Sequence, residues 1–369
     1  MTDSLETPVR LRTTLDSVPG YKPGKPATTS SDGPSQTVHK ISSNENPYPP
    51  LPSVLDAVRD AATTMNRYPD MASSELTHAL AQHIGVSPDE VSFGTGSVGI
   101  LASLIQITCE PGDEVVYAWR SFEAYPIVVA LSGARSVQVP LDADARHDLD
   151  AMAAAVTERT RLLIVCTPNN PTGPTVRADE LRAFLDALPK DLLVVLDEAY
   201  LEFVEADDAP DALAIYREYP NVVVLRTFSK AYGLAGLRVG YAVARPRITA
   251  ALRKAATPFG VSDMAQKAAI ASLAAFDELQ TRVDALVAER GRVVEALADV
   301  RFDGGRIPET QANFIWLPLG ERAADFAAFA GERGLVVRPF DGEGVRCTIA
   351  EVEANDRLVD VVRSFAAQG

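Results

Sequence analysis

Apolar residues fall along this chain in two alternating rhythms. Short β-branched runs stop abruptly at polar residues or glycines, and between them apolar positions recur at helical spacing. The runs Val91 to Phe93, Val115 to Ala118, Ser136 to Pro140, Arg161 to Cys166, Leu192 to Leu196 and Asn221 to Phe228 read as strands. Helical patterns over about Pro52 to Met65, Ser73 to Ile84, Phe122 to Ser132 and near Asp150 lie among them. Such alternation predicts an α/β fold with a mostly parallel sheet between helices. After about Gly260 the rhythm changes. Longer helical stretches, Met264 to Phe276 and Glu278 to Ala298, precede strands at Asn313 to Leu317, Leu335 to Arg338 and Val345 to Ala350, then a helix over about Ala354 to Ala367. This block reads as a smaller α+β domain. The expected division is an arm over 1–40, rich in Pro, Gly, Ser and Thr, a large domain over 41–262 whose first residues bridge to the small one, and a small domain over 263–369.

Three of the strand ends carry the chemistry. Asn221 to Phe228 runs into Ser229-Lys230, with Gly233, Gly236 and Arg238 close behind. A lysine in a glycine-rich turn at the end of a buried strand suits an amine that forms a Schiff base, beside a serine and an arginine that hold a phosphate. Arg161 to Cys166 runs into Asn169-Asn170-Pro171, and Leu192 to Leu196 runs into Asp197-Glu198-Ala199-Tyr200. An α/β sheet binds ligands at its carboxyl edge, so an acid, an amide, a phenol, a serine, a lysine and an arginine meet there. That inventory fits pyridoxal 5′-phosphate, which has a basic ring nitrogen, a phenolic oxygen, an aldehyde and a phosphate.

Gly94-Thr95-Gly96-Ser97-Val98-Gly99 matches the dinucleotide-binding glycine pattern after a strand. That fold wants an acid about 20 positions on, at the end of the next strand. Here that strand ends Val115-Val116-Tyr117-Ala118-Trp119-Arg120, without one. A single phosphate held by amides at a helix start needs no such acid, so the motif reads as a phosphate cup.

Composition narrows the field. With 369 residues and 47% hydrophobic content, a substantial core is expected. Apolar stretches are broken too early for a membrane span, and Met1 to Ser17 has no apolar signal core, which predicts a cytoplasmic protein. A net charge of −15, from 35 basic and 50 acidic side chains, argues against nucleic acid. Cys109, Cys166 and Cys347 read as reduced core thiols, Cys166 as a small apolar filler near the site. The histidines at 39, 78, 83 and 147 show no metal-ligand spacing, so no metal is expected, and His78 and His83 read as surface residues of one helix.

The motifs Ser-Asn-Glu-Asn-Pro at 43–47, Asn-Arg-Tyr-Pro at 66–69, Asn-Asn-Pro-Thr-Gly at 169–173, Asp-Glu-Ala-Tyr at 197–200 and the run from Ser229 to Tyr241 resemble class-II aminotransferases of the histidinol-phosphate aminotransferase subgroup. The resemblance spans Tyr21 to Arg346. Trp119 to Pro126 and Gln311 to Pro318 look more like the aromatic-amino-acid (phenylalanine) aminotransferases of actinobacteria. The resemblance implies the fold-type-I architecture of pyridoxal-phosphate transferases and a homodimer with shared active sites. It implies Lys230 as the catalytic amine, moving a proton between substrate and cofactor. Asp197 would pair with the ring nitrogen, Asn170 and Tyr200 would bond the phenolic oxygen, and Phe122 would stack on the ring. Ser97, Val98, Ser229 and Arg238 would hold the phosphate, with Tyr68 reaching it from the second subunit. Arg346 would clamp the substrate carboxylate, with Tyr21, Asn46 and Arg338 as further substrate contacts.

The implied reaction is transamination between an aromatic L-amino acid (Phe or Tyr, with Trp in reach) and a 2-oxo acid such as 2-oxoglutarate. Histidinol-phosphate transamination is the alternative. Histidinol-phosphate enzymes usually carry an acid just after the serine-like position of the cup, where Val98-Gly99 stand here. Asp341 and Glu343, between Arg338 and Arg346, would disfavour a dianionic phosphate, and Phe340 could line an apolar slot.

Overall fold

A run that is apolar at every position, not at every second one, needs cover on both faces, and that is how the central sheet is built. The computed structural model describes residues 9–16, 18, 20, 21 and 37–368; the rest of the arm, with Lys22-Pro23-Gly24, lies outside the described residues. The sheet has seven strands, in the order Val91–Thr95, Val239–Val243, Val222–Thr227, Leu193–Asp197, Thr160–Cys166, Glu114–Trp119, Arg135–Pro140. Val194 to Leu196 and Val222 to Leu225 have no exposed surface. Along Leu193–Asp197 the faces alternate: Val194 and Leu196 join one core cluster, Leu193 and Val195 another. The helices Ala178–Ala187, Ala212–Glu218 and Asp263–Ala274 supply the first cluster, and Gly96–Thr108 and Ala124–Ser132 the second. Each fully buried Val or Leu contributes about 1.5–3 kcal/mol.

All pairings are parallel except those of Val239–Val243, which runs antiparallel to both neighbours. The consequence is positional. Thr95, Cys166, Asp197 and Thr227 end their strands at one edge, and Arg238 stands at that same edge because its strand begins there. This strand was absent from the pattern reading, as were the helices Ala178–Ala187, Ala212–Glu218 and Pro246–Ala255.

A second sheet, ordered Phe314–Leu317, Gly344–Thr348, Arg338–Phe340, is antiparallel throughout. Its core takes in Phe326 from the helix Ala323–Glu332 and Leu358, Val362 and Phe365 from Val352–Ala366. The long helix Phe276–Ala296 serves both cores: Leu279, Val283 and Leu286 pack with the first sheet, Val293 with the second. The expected strand Leu335 to Arg338 is two. Leu335–Val336 pairs in parallel with His39–Lys40, while Arg338–Phe340 pairs with Gly344–Thr348. Cys109 is half-buried rather than a core thiol, and His78 and His83 are exposed on the helix Ser74–Ile84, as expected.

Candidate active site

The sheet edge opens into a cavity of about 560 Å³ lined by Ser97, Val98, Phe122, Asn170, Asp197, Tyr200, Ser229, Lys230, Arg238, Arg338, Arg346 and Tyr21. Lys230 lies just past the strand Val222–Thr227, and its Nζ donates to the carbonyls of Ser43 and Asn44, each at 3.3 Å. The Nζ also lies 5.8 Å from the Tyr200 ring centroid. Burial first, and then the Arg346 charge, push this amine down to about 7, with Arg238 adding to the same effect and Glu45 opposing it. A lysine so placed holds a large neutral fraction at neutral pH, as a nucleophile or proton acceptor must.

Asp197 ends its strand almost without exposure. Its Oδ2 accepts a bond from Tyr125 Oη at 2.6 Å, and its Oδ1 is buried with no partner among the described residues. Burial raises this carboxyl to about 6, with the nearby Glu198 charge adding and the Tyr125 bond opposing. A cation set against Oδ1 would bring it back down. Tyr125 was not anticipated; a buried phenol opening the helix after Phe122 was the available signal, since such a group needs a partner.

The glycine run lies where Val91–Thr95 passes into the helix Gly96–Thr108. Gly96 has φ +76°, and a Cβ there would lie 2.5 Å from a terminal nitrogen of Arg238. A Cβ on Gly240 would lie 2.5 Å from the Ser97 amide nitrogen. Both glycines therefore permit the helix start, the reversed strand and Arg238 to converge. Arg238 Nη1 donates to Ala235 O at 2.9 Å and reaches Ser229 Oγ at 3.4 Å.

On the opposite wall Arg346 donates through Nη1 to Asn170 Oδ1 and through Nη2 to Ser42 O at 2.9 Å, while its Nε is buried without a partner among the described residues. Burial lowers its pKa, partly offset by Tyr200 and Tyr21. Asn44, held in the left-handed region at φ 53°, donates to Tyr200 Oη at 3.0 Å and accepts from Thr348 Oγ1. Burial, more than any other cause, raises the Tyr200 phenol above its ordinary value.

Some expected contacts fall elsewhere. Asn46 does not line the cavity; its Nδ2 donates to Ala231 O at 2.8 Å and braces the loop behind Lys230. Tyr68, expected to serve the neighbouring subunit's site, is 82% exposed outside this chain's own cavity and stacks on Phe259 with ring centroids 4.6 Å apart. Phe340 is buried against Trp316 rather than in the slot. Tyr21, half-exposed, meets the edge of Phe122 at 6.4 Å. Cys166 does lie buried beside the site, its thiol pushed up to about 12 by burial and then by the Asp197 charge, which suits a filler. A second cavity of about 620 Å³ is lined by Asp70, Gln106, Arg253 and Lys254 as well as Phe93, Ile100 and Phe259, and none of the expected site residues lines it.

The donor set is selective. An anion fits between the helix start at Ser97 and Arg238, and a cationic ring nitrogen fits the free Oδ1 of Asp197. A carbonyl carbon fits within reach of the Lys230 amine. Pyridoxal 5′-phosphate satisfies all three requirements.

The sequence profile of aminotransferases class I and II matches residues 36–362. The chain is 60% identical over 360 residues to an aromatic amino acid aminotransferase of Streptomyces avermitilis, covering 98% of each chain. It is 53% identical over 358 residues to one of Thermobifida fusca, covering 97% of this chain and 98% of that one. Among solved structures it resembles histidinol-phosphate aminotransferase from Sinorhizobium meliloti in complex with pyridoxal-5′-phosphate. There the TM-score is 0.80 at 34% identity, over 89% of this chain and 92% of that one.

Proposed function

The chain belongs to the class I and II aminotransferases, with their fold-type-I architecture, and from that premise we propose that it moves amino groups between aromatic L-amino acids and 2-oxo acids with pyridoxal 5′-phosphate. Ser97, Val98, Ser229 and Arg238 would hold the cofactor phosphate, Asp197 its ring nitrogen, Asn170 and Tyr200 its phenolic oxygen, and Phe122 its ring face. When bound, the cofactor supplies an electron sink for the pair released as the substrate Cα loses its proton.

The chain's own groups do the rest. Lys230, neutral in a large fraction near pH 7, takes the Cα proton and returns it on the other side of the transfer. Asp197 stays ionised against a cationic nitrogen, and Tyr125 fixes its orientation. Arg346 takes the substrate carboxylate in a planar, paired contact that lysine cannot reproduce. Tyr21 and Phe122 border the space for the side chain.

One observation carries the substrate reading. Arg338 and Arg346 face each other across the small sheet, but Arg338 is bonded to Glu123 while Arg346 has no carboxylate partner among the described residues. One guanidinium without a carboxylate partner, beside aromatic rings, suits a substrate with one carboxylate and an apolar side chain. The likeness to the Streptomyces enzyme over nearly the whole chain supports the same reading. The test is kcat/KM for phenylpyruvate against imidazole acetol phosphate, with glutamate as donor, on one preparation. A tenfold preference for phenylpyruvate, about 1.4 kcal/mol of differential transition-state binding, is expected. A preference for the imidazole phosphate would overturn the aromatic reading in favour of histidinol phosphate.

We further propose a two-fold homodimer in which Tyr68 completes the neighbour's phosphate site. The exposed Tyr68–Phe259 stack, lying outside its own chain's cavity, supports this arrangement. The division into 41–262 and 263–369 is likewise our reading, with the helix Phe276–Ala296 joining the two cores.

A further inference from the structure

We propose that Glu123 determines side-chain specificity, by holding Arg338 neutralised so that the pocket disfavours a second anion on the substrate. This deepens the aromatic reading and rests on it.

Arg338 and Arg346 are register partners on adjacent antiparallel strands, so their side chains leave the same face of the small sheet, and both line the cavity. Like charges directly opposite on a sheet face repel, so one of the two needs compensation. Glu123 supplies it from just before the helix Ala124–Ser132, between Phe122 and Ala124, which line the cavity. Its Oε2 accepts from Arg338 Nη2 at 2.6 Å, with the two side chains only 26% and 10% exposed.

The nearby Arg120 is treated in the same way. It is bonded to Glu343 and lies over the Trp119 ring, 4.1 Å from its centroid. Arg346 is thus left to take the α-carboxylate. A side chain ending in a second carboxylate would have to displace Glu123 from Arg338, leaving a partly buried carboxylate unpaired. An aromatic side chain displaces nothing. Specificity here comes as much from a built-in repulsion as from apolar contact. The dicarboxylate acceptor meets the same obstacle, so its affinity is held down as well.

Glu123→Gln keeps the shape and removes the charge, and Glu123→Ala removes both. Each is compared with wild type for kcat and KM on phenylpyruvate and 2-oxoglutarate. Both variants are expected to raise kcat/KM for 2-oxoglutarate, which carries a second carboxylate, by at least tenfold relative to phenylpyruvate, with KM carrying the change. Glu123→Asp should return the ratio toward wild type. A parallel fall for both substrates, or an unchanged ratio in both variants, would overturn the proposal. The comparison is variant against wild type, so it stands even if the wild type prefers some other uncharged side chain. Only the wild-type preference itself bears on the aromatic reading.

Discussion

Asp197 and Glu198 are neighbours in sequence and both buried, yet they belong to two differently built regions. Glu198 faces Arg226, whose Nε donates to its Oε2 at 2.9 Å while Nη2 lies 2.8 Å from the same oxygen, and both side chains are under 10% exposed. That pair is complete within the fold. On the cavity side, among the described residues, Asp197 keeps an unpartnered Oδ1, Arg346 an unpartnered Nε, and Lys230 bonds only to carbonyls. A buried charge without its partner is destabilising, so a structure that keeps several together is holding them for something else. The closed pair serves the fold, and the open set serves a ligand.

The largest expected effect comes from removing the amine of the open set. Lys230→Ala should lower transamination by roughly four orders of magnitude or more while the chain still binds pyridoxal phosphate by equilibrium dialysis. Mixing Lys230→Ala chains with Tyr68→Ala chains should restore activity if one chain completes its neighbour's site. Near-normal turnover by the alanine variant would remove Lys230 from the reaction. No recovery in demonstrated heterodimers would remove the shared site.

Smaller effects separate the two regions through their arginines. Arg346→Lys should cost roughly ten- to a hundredfold in kcat/KM, as a charged hydrogen bond of about 1.5–3 kcal/mol is lost, with little change in urea unfolding. Arg226→Met should instead destabilise by about 3–5 kcal/mol, because it strands Glu198. Exchange of these outcomes would erase the distinction between the regions.

Much of the open region was legible in the chain because its parts sit at strand ends, where periodicity and glycine placement mark them. Lys230, Asp197, Asn170 and the cup at Gly96-Ser97 reach the cavity for that reason. What escaped depends on contacts between distant positions. Nothing in the residues of Val239–Val243 marks its reversed direction, and only pairing on both sides shows it. Arg338 reads as a free cation until Glu123, 215 positions away, is placed against it. Asn46 has the chemistry of a substrate contact, but the loop it braces claims its amide. The strand expected over Leu335 to Arg338 divides because its halves find partners in different sheets.

The account turns on Asp197 and Glu198 doing different work from adjacent positions, and paired measurements on Asp197→Asn and Glu198→Gln test it most directly. Activity with saturating pyridoxal phosphate and unfolding free energy without it are measured on both. Asp197→Asn should lose roughly a hundredfold or more in kcat, since it replaces the anion aimed at a cationic nitrogen, and should unfold no more easily than wild type. Glu198→Gln should keep kcat within about threefold and lose about 3 kcal/mol of stability. An active but destabilised Asp197→Asn beside a stable but inactive Glu198→Gln would contradict the account.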